Sequence, residues 1–166
     1  MFGFGSKKLV LLAPLTGAQK SLEDVPDPVF SGKIMGDGVA IEPASDVEGF
    51  VKAPCDGEVA TLFPTGHAVG ILVKPGSGEE IELLIHVGID TVELKDGPFE
   101  ALVKQGDSVK TGQPLIRFDV AKIKGAGKAT ITPFLVTNPD SVESMKVLPG
   151  PYTAGETPIL ELQPKK

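Results

Sequence analysis

Glycine and proline interrupt this chain so often that no long helix has room to form. There are 20 glycines and 15 prolines among 166 residues. A proline inside a helix removes a backbone donor and clashes with the preceding turn, and a glycine there costs about 1 kcal/mol relative to alanine. Between the interruptions lie short runs rich in valine, isoleucine, leucine and threonine, at 9–12, 39–41, 50–53, 57–62, 68–73, 81–85, 99–103, 115–118, 130–136 and 159–162. Short strands bounded by turn residues are the pattern of a sandwich or barrel. Pro75-Gly76-Ser77-Gly78, between two of these runs, reads as a hairpin connection. Brief helical stretches are predicted over 120–124 and 138–147, the second with Asn138 or Asp140 as its cap and Pro149-Gly150 as its stop. Residues 16–30 read as irregular, because Asp24-Val25-Pro26-Asp27-Pro28 carries two prolines that exclude helix and central strand alike.

Two pairs of segments echo each other. Ala13-Pro14-Leu15-Thr16-Gly17 is matched by Ala53-Pro54-Cys55-Asp56-Gly57, and 109–116 is matched by 152–159 around Gly112 and Gly155. The predicted fold is therefore all-β: a sandwich–barrel hybrid built from two related motifs, with short helical turns only. We expect a single domain over residues 9–166, large enough for a core without disulfide staples, preceded by a loose tail at 1–8.

Composition narrows the function. The net charge is −6, from 22 acidic and 16 basic residues, and no basic stripe is present, which disfavours nucleic acid as a partner. The lone cysteine, Cys55, excludes an intramolecular disulfide and fits a reducing compartment. Lys7-Lys8 and the apolar residues that follow imitate a signal peptide. The run is short, is broken by Pro14 and lacks a small-x-small cleavage site. No stretch approaches the roughly 20 apolar residues of a membrane span. A cytoplasmic protein is expected.

The chemistry concentrates on two histidines. His86 ends the apolar run that starts at Ile81, and Gly88 two residues later allows the chain to turn away, with Asp90 at the mouth of the turn. His67 precedes the run at 68–73, in phase with Val69, Ile71 and Val73, and Thr65 falls on its face, where a hydroxyl can fix one imidazole tautomer. Each histidine alone has an ordinary explanation as a half-buried polar residue. Together with Thr65 and Asp90 they admit three roles: zinc ligands, a general-base pair, or a phosphoryl acceptor with its oxygen-binding neighbours. His86-x-x-x-Asp90 is a ligand spacing of lysostaphin-type zinc peptidases, but catalytic zinc takes three protein ligands and the His-x-His of those enzymes is missing. Cys55, in a turn without a histidine nearby in sequence, reads as a packing residue. The stretch 103–112 is similar to the hairpin of lipoyl and biotinyl carriers, yet Lys122-Ile123-Lys124 has none of the context of a modified lysine.

A resemblance separates these readings. It is carried by Glu23-Asp24-Val25-Pro26-Asp27-x-Val29-Phe30, Gly36-Asp37-Gly38-Val39-Ala40-Ile41, Ala53-Pro54-x-Asp56-Gly57, Thr65-x-His67-Ala68 and Ile85-His86-Val87-Gly88-Ile89-Asp90-Thr91-Val92-Glu93-Leu94. From about Leu9 onward the chain resembles the glucose-type enzyme IIA components of the bacterial sugar phosphotransferase system. Cys55 departs from the aliphatic residue usual there, and the N-terminal stretch is shorter than the amphipathic arm of some members.

The resemblance implies a phosphoryl relay. His86 would accept the group through Nε2, its Nδ1–H bound to a carbonyl near Gly88. His67, oriented by Thr65, would stabilise the phosphoryl oxygens together with backbone N–H groups of the Gly88–Asp90 turn. Asp27 and Asp90 would face a basic partner, within an apolar collar of Phe30, Ile34, Met35 and Phe63. The implied partners are the histidine phosphocarrier protein as donor and the cysteine of an enzyme IIB domain of a sugar permease as acceptor, with transporters or kinases as further, regulatory partners. No cofactor is required, although His67 and His86 together offer a site for Zn²⁺. The alternative from another class is a zinc-dependent peptidase on a related β scaffold.

Overall fold

The structure, a computed structural model, describes residues 8–44, 48–76, 78–94 and 97–165. Its strands are β1 (Leu9–Leu12), β2 (Gly17–Lys20), β3 (Asp37–Pro43), β4 (Glu48–Lys52), β5 (Gly57–Leu62), β6 (Ala68–Val73), β7 (Ile81–His86), β8 (Phe99–Ala101), β9 (Ser108–Val109), β10 (Pro114–Asp119), β11 (Thr132–Val136), β12 (Val142–Val147) and β13 (Pro158–Pro164). The helices α1 (Pro28–Ser31) and α2 (Val120–Gly125) are one to two turns long. The expected all-β sandwich–barrel class is what forms.

Seven strands make one antiparallel sheet in the order β2-β3-β11-β7-β6-β5-β9. Two three-stranded sheets, β1-β13-β12 and β4-β10-β8, complete the fold. Successive side chains of a strand point to opposite faces, so each run sorts its residues into two layers. Val39, Ile41, Val69, Ile71, Leu83, Ile85, Phe134 and Val136 face the main core, where Leu11, Val51, Ile116, Phe118, Leu160 and Leu162 of the smaller sheets meet them. The residues between them, Ala40, Ala68, Leu84 and Leu135, lie on the outer face in a second cluster, covered by Leu22, Val25 and Phe30 from the segment joining β2 to β3.

The two echoing motifs interlock. The Leu12 N–H donates to the Pro54 carbonyl (2.9 Å), and the Lys52 N–H donates to that of Pro14 (2.8 Å). Gly155 and Gly112 donate to Ala13 and Ala53, and Ala13 and Ala53 donate in turn to Thr157 and Gln113. Thr16 and Asp56 occupy equivalent positions and accept from the N–H groups of Ala154 and Thr111. Strand order repeats the relation, since β2-β3-β11 is answered by β5-β6-β7 about the line between β11 and β7.

Two local expectations are corrected. Residues 17–20 form an edge strand paired with β3, and Pro28 opens α1 instead of excluding a helix. Proline is tolerated at the first helical position, where its missing N–H would be unpaired anyway, and the Asp27 side chain caps the turn by accepting from the Val29 N–H at 3.0 Å. The helix expected over 138–147 is a single 3-10 turn (Pro139–Ser141) followed by β12, which pairs with β13. Asn138 does not cap it: its side chain reaches β7 and its approach, accepting from the Glu82 N–H and donating to the Glu80 carbonyl. The stretch 120–124 is helical, as α2. The tail expected at 1–8 lies, except for Lys8, outside the described residues. Among the described residues no helix is long and apolar enough to cross a membrane.

Candidate active site

His86 is the last residue of β7 and pairs across the ladder with Ala68, the first residue of β6. Phase alone would put His86 with Leu84 on the outer face and His67 with Val69 on the core face. The rings meet nonetheless, because His67 precedes β6 and is free of its pleat. Its carbonyl accepts from the Val87 N–H at 2.8 Å, which joins the two strand ends. The imidazole centroids lie 4.9 Å apart at an interplanar angle of 78°. Phe30 stands 5.0 Å from His86, and Phe63 stands 5.2 Å from His67, with Phe99 behind it at 6.4 Å.

Each ring is held by its Nδ1. His86 Nδ1 lies 2.7 Å from the Gly88 carbonyl oxygen. A carbonyl only accepts, so Nδ1 carries the proton and the lone pair sits on Nε2. Gly88 reaches this position with φ +72°, and a Cβ there would lie 2.7 Å from both the Ala129 carbonyl oxygen and the Thr91 methyl. His67 Nδ1 lies 2.5 Å from Thr65 Oγ1. Burial drives the His67 pKa down to about 4, with His86 adding to the effect. Burial also lowers that of His86, against the opposing pull of the Gly88 carbonyl, Asp27 and Asp90. Both rings are neutral at pH 7, as an attacking nitrogen requires.

The remaining residues singled out in the sequence distribute unevenly around this pair. Asp27 is half-buried at the start of α1, and Asp90 is exposed in a left-handed conformation (φ 59°) just past Gly88. Ile34 (76% exposed) and Met35 (42%) form an open rim. Phe63 is half-buried, and with Met35, Ala60, Gly70 and Leu84 it lines an apolar groove of about 240 Å³. Phe30 departs from the expectation of an exposed collar residue: it is 4% exposed, its ring spent against His86 and the outer-face cluster. The Ile89 N–H is likewise not free for an incoming group, since it donates to the Ala129 carbonyl at 3.0 Å.

Phe99 and Thr91 were not anticipated as site residues. Phe99 comes from a distant strand with no signal to mark it. Thr91 lies four residues beyond Val87, and a hydroxyl at that spacing is the one available hint. Cys55 is buried with its thiol pushed up to about 12, so it stays protonated and packs. Among the described residues no three histidine, cysteine, aspartate or glutamate side chains gather closely enough to hold a metal. Two imidazoles fall one ligand short of a catalytic zinc site, and among the described residues the peptidase alternative finds no third ligand.

Comparison with known proteins identifies the family. The family model described as "phosphoenolpyruvate-dependent sugar phosphotransferase system, EIIA 1" matches residues 9–142. The glucose-specific EIIA component of Bacillus cereus is 48% identical over 168 residues, covering 99% of this chain and 98% of the relative. That of Staphylococcus epidermidis is 43% identical, covering 94% and 90%. The solved structure of glucose permease IIA from Mycoplasma capricolum superposes with a TM-score of 0.84 at 34% identity, covering 97% of this chain and 99% of that one. The chain therefore belongs to the EIIA 1 family of the phosphoenolpyruvate-dependent sugar phosphotransferase system, whose members act in phosphoryl transfer.

Proposed function

We propose that this chain is a glucose-type phosphoryl relay that accepts on His86 Nε2 and passes the group on. The observation that carries the reading is the 2.7 Å contact between His86 Nδ1 and the Gly88 carbonyl, beside a second, neutral imidazole. The Nε2 lone pair forms a P–N bond while the P–N bond of a phosphohistidine donor breaks, its electron pair returning to the donor's ring. The His86 ring keeps its Nδ1 proton and becomes cationic. The Gly88 carbonyl accepts from that proton, and Asp27 and Asp90 supply a negative field, so all three favour the charge that develops. In the onward step a thiolate attacks phosphorus and the pair returns to Nε2.

His67 stabilises the phosphoryl oxygens. A Thr65 hydroxyl donating to its Nδ1 leaves an N–H at Nε2 for that purpose. Phosphoryl transfer is chiefly positioning and charge stabilisation, and among the described residues the side chains named at the site include no lysine or arginine, so a basic partner completes it. The donor is the histidine phosphocarrier protein, and the acceptor is the cysteine of an enzyme IIB domain. Both dock on the rim of Ile34, Met35, Phe63 and Asp90. The same rim serves regulation, by binding transporters or kinases. The relatives' designation as glucose-specific supports glucose as the sugar served.

The test is incubation with phosphoenolpyruvate, enzyme I and the phosphocarrier, followed by intact-mass measurement and peptide mapping. One acid-labile phosphoryl group on His86 is expected. A chain that gains none, or gains it on His67, refutes the assignment.

A further inference from the structure

The geometry points to Thr91 as a positioning residue that holds the tautomer of His86 through the backbone. This inference rests on the relay reading for its kinetic consequence, but its structural part stands separately.

Thr91 is fully buried, yet it carries a hydroxyl. That hydroxyl donates to the Val87 carbonyl at 2.5 Å. Its methyl packs on the Cα face of Gly88, within 2.7 Å of where a Cβ would stand. The segment between them holds two left-handed residues, Gly88 (φ +72°) and Asp90 (φ 59°), a conformation uncommon for a residue with a Cβ, although aspartate enters it more readily than most, so the tight turn depends on added constraint. Two bonds supply the constraint. Thr91 ties the end of the turn to its beginning, and the Ile89 N–H ties its middle to Ala129.

The Gly88 carbonyl, fixed between those two bonds, is the group that receives His86 Nδ1–H. If the turn loosens, this carbonyl swings away and His86 is free to place its proton on Nε2. The neutral ring then presents an N–H where a lone pair is needed. Thr91 touches neither the reacting nitrogen nor the incoming group, so its effect passes entirely through the Gly88 carbonyl.

The experiment is nitrogen-15 NMR of histidine-labelled full-length chain, together with the rate of phosphoryl uptake from the phosphorylated phosphocarrier. Wild type should show His86 locked with its proton on Nδ1. Thr91→Val keeps the shape and loses the donor: His86 should become a mixture of tautomers, and uptake should slow roughly tenfold, the rate equivalent of one buried hydrogen bond. Thr91→Ser restores the hydroxyl and should restore both signals. The His67 resonances serve as the internal check of folding. A Thr91→Val chain with an unchanged His86 tautomer overturns the proposal, as does a Thr91→Ser chain that fails to recover it. Should Thr91→Val not fold, the unmodified chain still decides, because its Thr91 hydroxyl proton must exchange slowly with solvent, and rapid exchange overturns the proposal. If wild type takes up no phosphoryl group, the relay reading fails while the tautomer comparison continues to judge Thr91.

Discussion

The two halves of the seven-stranded sheet start from the same motif and diverge where they leave it. In one half, β5 returns to β6 through a short connection at 63–67, which delivers Phe63, Thr65 and His67 to one spot. In the other, β2 reaches β3 through 21–36, a segment long enough to fold a 3-10 turn and α1 over the outer face and bring Phe30 against His86. The interlocked backbone hydrogen bonds at Ala13 and Ala53 are alike, and the connections are not. Scaffold and chemistry are thus carried by different stretches, as expected when loops on a rigid frame hold the reactive groups. Damage to the motifs should cost stability, and damage to the connections and strand ends should cost transfer.

The largest expected effect lies at the strand ends. His86→Gln should take no phosphoryl group, since an amide has no nucleophilic ring nitrogen. His67→Gln should still accept but should pass the group to enzyme IIB slower by a factor of roughly a hundred, the usual worth of one electrostatic donor. Rapid-quench transfer assays measure both. Acceptance by His86→Gln would undo the division of roles.

Next come the two motif glycines, which should differ. A Cβ at Gly17 would lie 2.1 Å from the Glu42 carbonyl oxygen, whereas one at Gly57 would meet the Ile71 side chain and the Leu72 carbonyl oxygen at 2.8 Å. Gly17→Ala should therefore cost about 3 kcal/mol or more by denaturant unfolding and Gly57→Ala about half of that, as overpacking does when backbone must move. Equal losses would mean that the halves are less distinct than their close approaches indicate.

The pH dependence of stability tests the buried half of the histidine pair. Folded His67 holds its proton less tightly than it does in the unfolded chain, with a pKa of about 4 against the ordinary 6.5 of a histidine. The unfolded state thus binds more protons between these values, and stability that is intact above 6.5 declines as the pH falls toward 4. The contribution is about 3 kcal/mol when complete. His67→Gln should remove it, so that the stability difference between variant and wild type shifts across that window. A difference that stays constant with pH would show that His67 is not the group responsible.

The smallest effects belong to the rim. Ile34→Ser removes a side chain that is 76% exposed, so stability should stay within about 0.5 kcal/mol. Phosphoryl uptake at low phosphocarrier concentration should fall several-fold. Asp90→Arg should slow uptake most at low salt, because exposed charges act mainly on the encounter and are screened. Salt-independent uptake in that variant would remove Asp90 from the docking surface.

Much of this arrangement was legible in the sequence, and the exceptions share a cause. The strand at 68–73 is legible through the period of Val69, Ile71 and Val73, and that at 81–85 through its short apolar run with β-branched ends. The histidines stood out because there are only two, each at the end of such a run. β2 did not: Gly17-Ala18-Gln19-Lys20 has no apolar stripe and becomes a strand only because β3 offers it an edge. The stretch 138–147 carried helix punctuation, yet pairing with β13 overrode it. Phe30 looked like a surface anchor, and its burial depends on how the 21–36 segment folds back, which no local pattern encodes. The hydrogen bond from Thr91 to Val87 likewise appears only once the turn has closed.

The interlocked motifs also set the order in which the molecule can assemble. Ala13 is completed by Gly155 and Thr157, and β1 is completed by β13, so β1 waits for partners that are made much later. Such long loops must close before their contacts return any stabilisation, which makes folding slow for a protein of this size. The histidine pair waits as well, since β7 is flanked by β11. A chain emerging from the ribosome therefore carries both reactive imidazoles well before it can hold them in register, and the site becomes competent only late, when the sheet around it has closed.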